Sequence, residues 1–183
     1  RQRQMCIRDR LSGCDKAVTD AIALVNEGVK SLDRGDTDTA NGYFKRAVRL
    51  DPENAAAHYH LGLVALTKET GRTQAIAHFE RAEQLQPDQV EVLYQLGRTL
   101  TEEARAKDGL ATLERAIIID PNHAGCWHYK GIAAEMIGHR ELADTAWRES
   151  IAIAPERSRS YVSLGMMYEL SLIHISEPTR RYS

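Results

Sequence analysis

Gly28, Gly62, Gly97, Gly131 and Gly165 are separated by 34, 35, 34 and 34 residues, and Pro52, Pro87, Pro121 and Pro155 keep nearly the same step. A period of this length marks a stack of like supersecondary units, none of which can bury its apolar face alone. Such a stack presents an extended surface rather than an enclosed active site.

Aligned on the glycines, the units share one pattern. The first carries Leu24, Glu27, Gly28 and Ser31, then Ala40, Phe44, Ala47 and Pro52. The second carries His58, Leu61, Gly62 and Ala65, then Ala75, Phe79, Ala82 and Pro87. The third carries Leu93, Leu96, Gly97 and Leu100, then Gly109, Leu113, Ala116 and Pro121. The fourth carries Trp127, Lys130, Gly131 and Ala134, then Ala143, Trp147, Ser150 and Pro155. A fifth opens with Tyr161, Leu164, Gly165 and Tyr168 and then loses the pattern. Both halves of each unit are spaced as one stripe of a 3.6-residue helix, so each unit reads as a helical hairpin.

The residue types have physical reasons. Small residues on facing stripes let two helix backbones approach, and Phe44, Phe79, Leu113 and Trp147 are expected to fill the space between neighbouring hairpins. Proline ends the second helix because it has no N–H and restricts its predecessor. The residues around Pro52 and Pro121, Asp51 to Asn54 and Asp120 to Asn122, are expected to cap the next helix. Tight turns are expected at Arg34-Gly35-Asp36, Glu69-Thr70-Gly71 and Lys107-Asp108-Gly109. The single 35-residue step predicts one extra residue in the loop at 67–72.

Over residues 21–170 this pattern resembles the tetratricopeptide repeat (TPR) family. The resemblance implies an all-α fold, a right-handed α-solenoid of antiparallel hairpins with four full repeats and the first helix of a fifth. The repeats would span 21–54, 55–89, 90–123 and 124–157, with the fifth first helix at 158–170. Glu27, Ser31 and Lys130 depart from the family's apolar or small preference. Glu27 suits the exposed face of a terminal repeat, and Lys130 is expected to lay its stem along the interface with its ammonium in water.

The two ends fall outside the period. Residues 1–10 (RQRQMCIRDR) and 171–183 (SLIHISEPTRRYS) resemble translated sequencing-adapter read-through, and are set aside from the fold as non-native tails. On that reading the chain is a fragment of a longer protein. Within 11–20, Leu11-Ser12-Gly13-Cys14-Asp15 resembles a bacterial lipobox. That resemblance implies lipid on the Cys14 thiol, and several acyl chains would give stable membrane attachment. The expected location is the bacterial cell envelope, membrane-anchored and facing the periplasm, with a cytoplasmic location as the alternative.

The 183 residues carry a formal charge of −2, and no Lys/Arg stripe points to nucleic acid. No glycine-rich phosphate loop, HExxH or CxxC is present. His58 and His60 flank Tyr59 and point to different helix faces. His123 and Cys126 are spaced to share a metal but lack an evident third ligand. The reading is therefore a chain that is not itself an enzyme and has no cofactor and no metal.

Function is then expected on the surface. In the family the first helix of each hairpin lines a concave groove. The resemblance places Ile22, Val25, Val29 and Leu32 there, then Ala56, Tyr59, Leu63 and Leu66. Glu91, Tyr94, Arg98 and Thr101 follow from the third repeat, and Gly125, His128, Ile132 and Glu135 from the fourth. The fifth adds Arg159, Val162 and Met166. Some TPR proteins hold a terminal carboxylate with lysine and asparagine; Val25, Val29 and Glu91 stand where those would be needed, so that clamp is absent. The expected ligand is a protein or peptide segment held by apolar and aromatic contact. The two function classes are an interaction scaffold, such as an envelope lipoprotein of pilus-assembly or secretion type, and the accessory repeat region of a larger enzyme such as a glycosyltransferase or kinase, with a cytoplasmic TPR adaptor as a further alternative.

Overall fold

The structure, a computed structural model, describes the backbone of residues 2–156 and 159–176 and the side chains of residues 16–156 and 159–169. Within these it is all helical: α1 (Gln2–Asp33), α2 (Thr37–Leu50), α3 (Ala55–Ala65), α4 (Arg72–Leu85), α5 (Val90–Glu102), α6 (Ala106–Ile119), α7 (Ala124–Met136), α8 (Arg140–Ile153) and α9 (Ser160–Ser176). The helices form two compact units, Arg1–Val92 and Leu93–Ser183. Both are built from antiparallel helical hairpins, as an α-solenoid requires.

In the first unit α1 packs on α2, α2 on α3 and α3 on α4. Its core gathers Ala21, Val25, Ala40, Phe44, Ala47, Ala57, Leu61 and Val64. In the second unit α6 packs on α7, α7 on α8 and α8 on α9. There Ala134, Ala143, Trp147 and Met167 cluster, with Ile132, Leu142 and Leu164 against them.

The repeating glycines are sites of close approach. A Cβ on Gly28 or Gly62 would fall among the ring atoms of Phe44 or Phe79. On Gly97 it would lie 2.6 Å from Leu113 Cγ, and on Gly131 2.5 Å from Trp147 Cδ1. Each bulky residue therefore sits on the glycine of its own hairpin rather than between hairpins, and only the missing side chain makes room for it. Phe44 also reaches the next hairpin, where its ring stacks on His60 at 4.9 Å. Nothing lies within 4 Å of a Cβ on Gly165, whose helix has no second helix of its own among the described residues.

Local details depart from the sequence expectations in four places. The turn expected at 107–109 lies inside α6, and the chain reverses at residues 103–105 instead. Gly109 is a helical close-approach residue, since a Cβ there would meet the Gly97 carbonyl at 2.9 Å. His123, not Asn122, caps α7, its Nδ1 accepting from the Cys126 N–H at 3.1 Å. By contrast Asn54 caps α3 as expected, accepting from the Ala57 N–H at 2.9 Å. Lys130 does more than lay its stem along the interface: its side chain is 13% exposed, and its ammonium pairs with the half-exposed Glu114 at 3.1 Å. Its stem lies over Trp127, with Nζ 5.2 Å from the ring centre, so the charge is compensated where it is desolvated. Finally, the α9 backbone continues to Ser176, beyond the expected break at 171. The next proline is Pro178, so no helix breaker stands between.

The reversal at 103–105 carries a strained residue. Gly35 and Gly138 hold the left-handed position of the α1/α2 and α7/α8 turns with φ of 79° and 82°, but Ala104 holds φ 60° with a Cβ. Ala104→Gly is expected to stabilise by about 0.5–1 kcal/mol. The urea midpoint should rise; a fall would show that lost backbone rigidity outweighs the strain relieved.

Candidate functional site

The first helices α1, α3, α5, α7 and α9 carry the expected groove positions, and the structure sorts them. Ile22, Val162 and Met166 are 50%, 60% and 59% exposed. Glu135, Ala56 and Glu91 are also exposed, whereas Val29, Leu32, Leu63, Leu66, Tyr59, Tyr94, Arg98, Gly125, His128 and Ile132 are half-buried. Val25 and Thr101 are corrections. Val25 is buried against the core of the first unit, so it presents no surface. Thr101 is buried beneath α6, its hydroxyl donating to the Gly97 carbonyl at 2.8 Å. Cys14 lies outside the residues whose side chains are described.

In the first unit, Ala55, Ala56, Tyr59, Gln86, Gln89, Glu91 and Val92 line a small cavity. Tyr59 is a wall rather than a loose anchor. Its ring contacts His60 at 5.2 Å and Phe79 at 6.0 Å. Burial, then the charge of Glu91 and a hydrogen bond to it, push the Tyr59 hydroxyl up to about 12. It stays protonated and donates to that carboxylate.

In the second unit the structure brings Tyr94 and Arg98 of α5, Gly125 and His128 of α7 and Arg159 before α9 around one cavity of about 330 Å³. These five were all expected on the groove. Tyr94 lies over Gly125, where a Cβ would be 2.9 Å from Tyr94 Cε2, and over His123, ring centres 4.7 Å apart. Arg98 donates from Nε to Glu102 at 2.9 Å, and its Cζ sits 5.6 Å from the Tyr129 ring centre. The Tyr129 hydroxyl donates to the same carboxylate at 3.1 Å. His128 Nδ1 lies 2.9 Å from Ser160 Oγ, and its pKa is lowered by burial and secondarily by the charge of Arg159. Sequence reasoning missed Ala124, Tyr129, Ser150 and Ala154. Tyr129 follows a groove position directly, and only its reach back to Glu102 of α5 turns it into the cavity.

Three histidines of the first unit, His58, His60 and His78, are buried or half-buried. His58 Nε2 lies 3.2 Å from the Pro52 carbonyl, which can only accept, so Nε2 carries the proton. Its Nδ1 then faces His78 Nδ1 at 3.4 Å. The Nδ1 of His60 is buried with no hydrogen-bond partner among the described residues. Burial lowers the pKa of all three, joined at His58 by Arg81 and at His78 by His58 and Lys45. A folded pKa below the unfolded one near 6.5 means these groups contribute fully above about pH 6.5. Below that, the unfolded chain binds protons first, and stability falls by at most about 1.4 kcal/mol per pH unit per group. The urea midpoint should therefore drop between pH 7.5 and 5.5. The drop should be smaller in His60→Phe, which keeps a stacked ring and cannot titrate; an equal drop would exclude His60 as a contributor.

No group of three or more histidine, cysteine or carboxylate side chains is placed to hold a metal among the described residues. His123 Nδ1 is occupied by the Cys126 N–H. No described helix is long and apolar enough to cross a membrane.

Comparison with known proteins agrees with the hairpin architecture. Family models of the tetratricopeptide repeat match residues 25–73 and 72–128. A search among curated proteins found no match. Among solved structures the chain is similar to MamA at 26% identity with a TM-score of 0.72, over 79% of this chain and 84% of that one. It is similar to residues 41 to the end of MamA from Desulfovibrio magneticus RS-1 at 22% identity, TM-score 0.76, over 83% and 85%. It is also similar to PilF of Pseudomonas aeruginosa at 21% identity, TM-score 0.73, over 89% and 72%. The last two likenesses concern the fold alone.

Proposed function

The chain belongs to the tetratricopeptide repeat family, and we propose that it is a protein–protein interaction scaffold whose first-helix faces bind a peptide or helix of a partner. Proteins of this family generally bind protein partners. The observation that carries the reading is the cavity of the second unit, where five residues from three successive first-helix positions converge. On α9, which follows Arg159, Val162 and Met166 are large apolar side chains more than half exposed. Concave sites with aromatic walls and a few convergent polar groups are where ligands gain most from burial.

The reading is tested with a phage-displayed library of random dodecapeptides panned against the protein. Enriched peptides should bind Tyr94→Ala and Met166→Ser at least about tenfold more weakly, with unchanged helical circular dichroism. Binding that ignores both substitutions would place the ligand elsewhere. The scaffold is further proposed to be an envelope lipoprotein attached through Cys14. The support is the Leu11-Ser12-Gly13-Cys14 sequence alone. Intact mass of the protein from membranes should show the lipid, and Cys14→Ser should lose it.

A further inference from the structure

The cavity of the second unit has an unusual balance of charge. Two arginines, Arg98 and Arg159, line it, and no carboxylate does. They are not equivalent. Arg98 is fixed from behind: Glu102 takes its Nε at 2.9 Å and the Tyr129 ring supports its plane. Its two terminal nitrogens have no partner among the described residues. Arg159 is exposed at the entry to α9 and has no carboxylate partner among the described residues. Its charge is nevertheless close enough to act on the half-buried His128.

Among the lining residues the two guanidiniums are therefore the charged groups, with the Glu102 carboxylate drawing on Arg98 from behind. That excess of positive charge suits an anionic group on the ligand, and a planar carboxylate is the one that two guanidiniums recognise best. The remaining walls are Tyr94, Tyr129, His128 and Ser150 together with the backbone-thin surface at Ala124, Gly125 and Ala154. Gly125 is the residue that lets Tyr94 close against α7. A short acidic side chain on an extended backbone fits between such walls, and the paired guanidinium forks supply the planar donors that a carboxylate accepts best.

We propose that this cavity is a subsite for an aspartate or glutamate side chain of the bound peptide, held by Arg159 and the free edge of Arg98. The proposal rests on the groove reading above and adds the chemistry of the ligand to it. Arg159 is the specificity residue: Glu102 already shares the charge of Arg98, so discrimination between an acid and its amide falls mainly on Arg159.

The test uses the full chain and the enriched dodecapeptides, synthesised with acetylated and amidated ends. Wild type is expected to bind the acidic peptide about tenfold more tightly than its Glu→Gln or Asp→Asn counterpart. Arg159→Ala should reduce that ratio below about twofold, and Arg159→Lys should restore part of it. Inorganic phosphate should compete no better than chloride at equal ionic strength. Met166→Ser should weaken acid and amide peptides alike and leave their ratio unchanged. Peptides that bind without regard to the acid, or a ratio that survives Arg159→Ala, would overturn the subsite and leave the groove standing. Dependence on a free peptide C-terminus, or displacement by phosphate, would replace it with a terminal-carboxylate or free-anion site. No enrichment of any peptide would overturn both.

Discussion

Trp147→Ala is expected to destabilise the second unit by about 3–5 kcal/mol, the range for deleting a fully buried aromatic ring. Trp147 is 0% exposed. Its indole lies on Gly131, so the glycine and the ring fill one space together. Its Nε1 donates to the His128 carbonyl at 3.1 Å, and the truncation leaves that acceptor without its partner. A whole domain is stable by only about 5–15 kcal/mol, so much of the unit's stability rests here. Trp127→Ala is the matched control. Trp127 is half-buried, donating to the Pro121 carbonyl at 2.8 Å and lying under Lys130. Its loss should cost less than half as much. The comparison is made on urea midpoints by circular dichroism, because a repeat array need not unfold in one step. Equal losses would mean that the ring-on-glycine packing is not what holds the hairpin.

Gly71→Ala is expected to cost at least about 2 kcal/mol, for a different reason. Gly71 has φ −84°, a value any residue adopts, so no dihedral demands glycine there. Space does. An added Cβ would collide with the Ala65 carbonyl oxygen and stand 2.7 Å from its carbon. Backbone at the end of α3 cannot swing aside as a side chain can. Gly35→Ala offers the contrast, because nothing lies within 4 Å of its Cβ and only φ +79° is strained. That change should cost about 1–2 kcal/mol. Thermal or urea unfolding of the two variants should rank Gly71→Ala as the worse. The reverse order would show that the loop at residues 66–71 relaxes freely.

The hairpins were legible in the sequence because glycine and proline act locally and leave a period. Spacing put Gly28 and Phe44, or Gly131 and Trp147, in one hairpin, but the bulky residues were expected between hairpins and instead sit on the glycine of their own. The extra residue of the second repeat was likewise placed in its loop, which runs from 66 to 71 where the α1/α2 and α7/α8 loops take 34–36 and 137–139. Legibility ended where a residue has two uses. Gly109 reads as a turn former, yet the close contact with Gly97 uses it inside a helix, and Ala104 takes the turn against its own preference. His123 reads as a metal ligand or a surface residue, and its ring nitrogen serves as a helix cap.

The cavity was half legible. Tyr94, Arg98, Gly125, His128 and Arg159 followed from positions on the first helices. Val25 did not behave as its position implied, because it joins the buried core cluster of the first unit. Tyr129 was invisible, since its role depends on a contact with Glu102 that lies 27 residues back. Long-range contact of that kind leaves no spacing signal on its own helix.

The central claim is that the first-helix faces, and not the second-helix faces, bind the ligand. The most direct measurement is amide chemical-shift mapping of the isotope-labelled protein titrated with an enriched dodecapeptide. The account predicts saturable shifts at Gly125, His128, Arg159, Val162 and Met166. Leu50, Ile118 and Ile119, exposed apolar residues at the ends of second helices, should stay still. Shifts centred on Ile118 and Ile119, with the cavity residues unmoved, would contradict it.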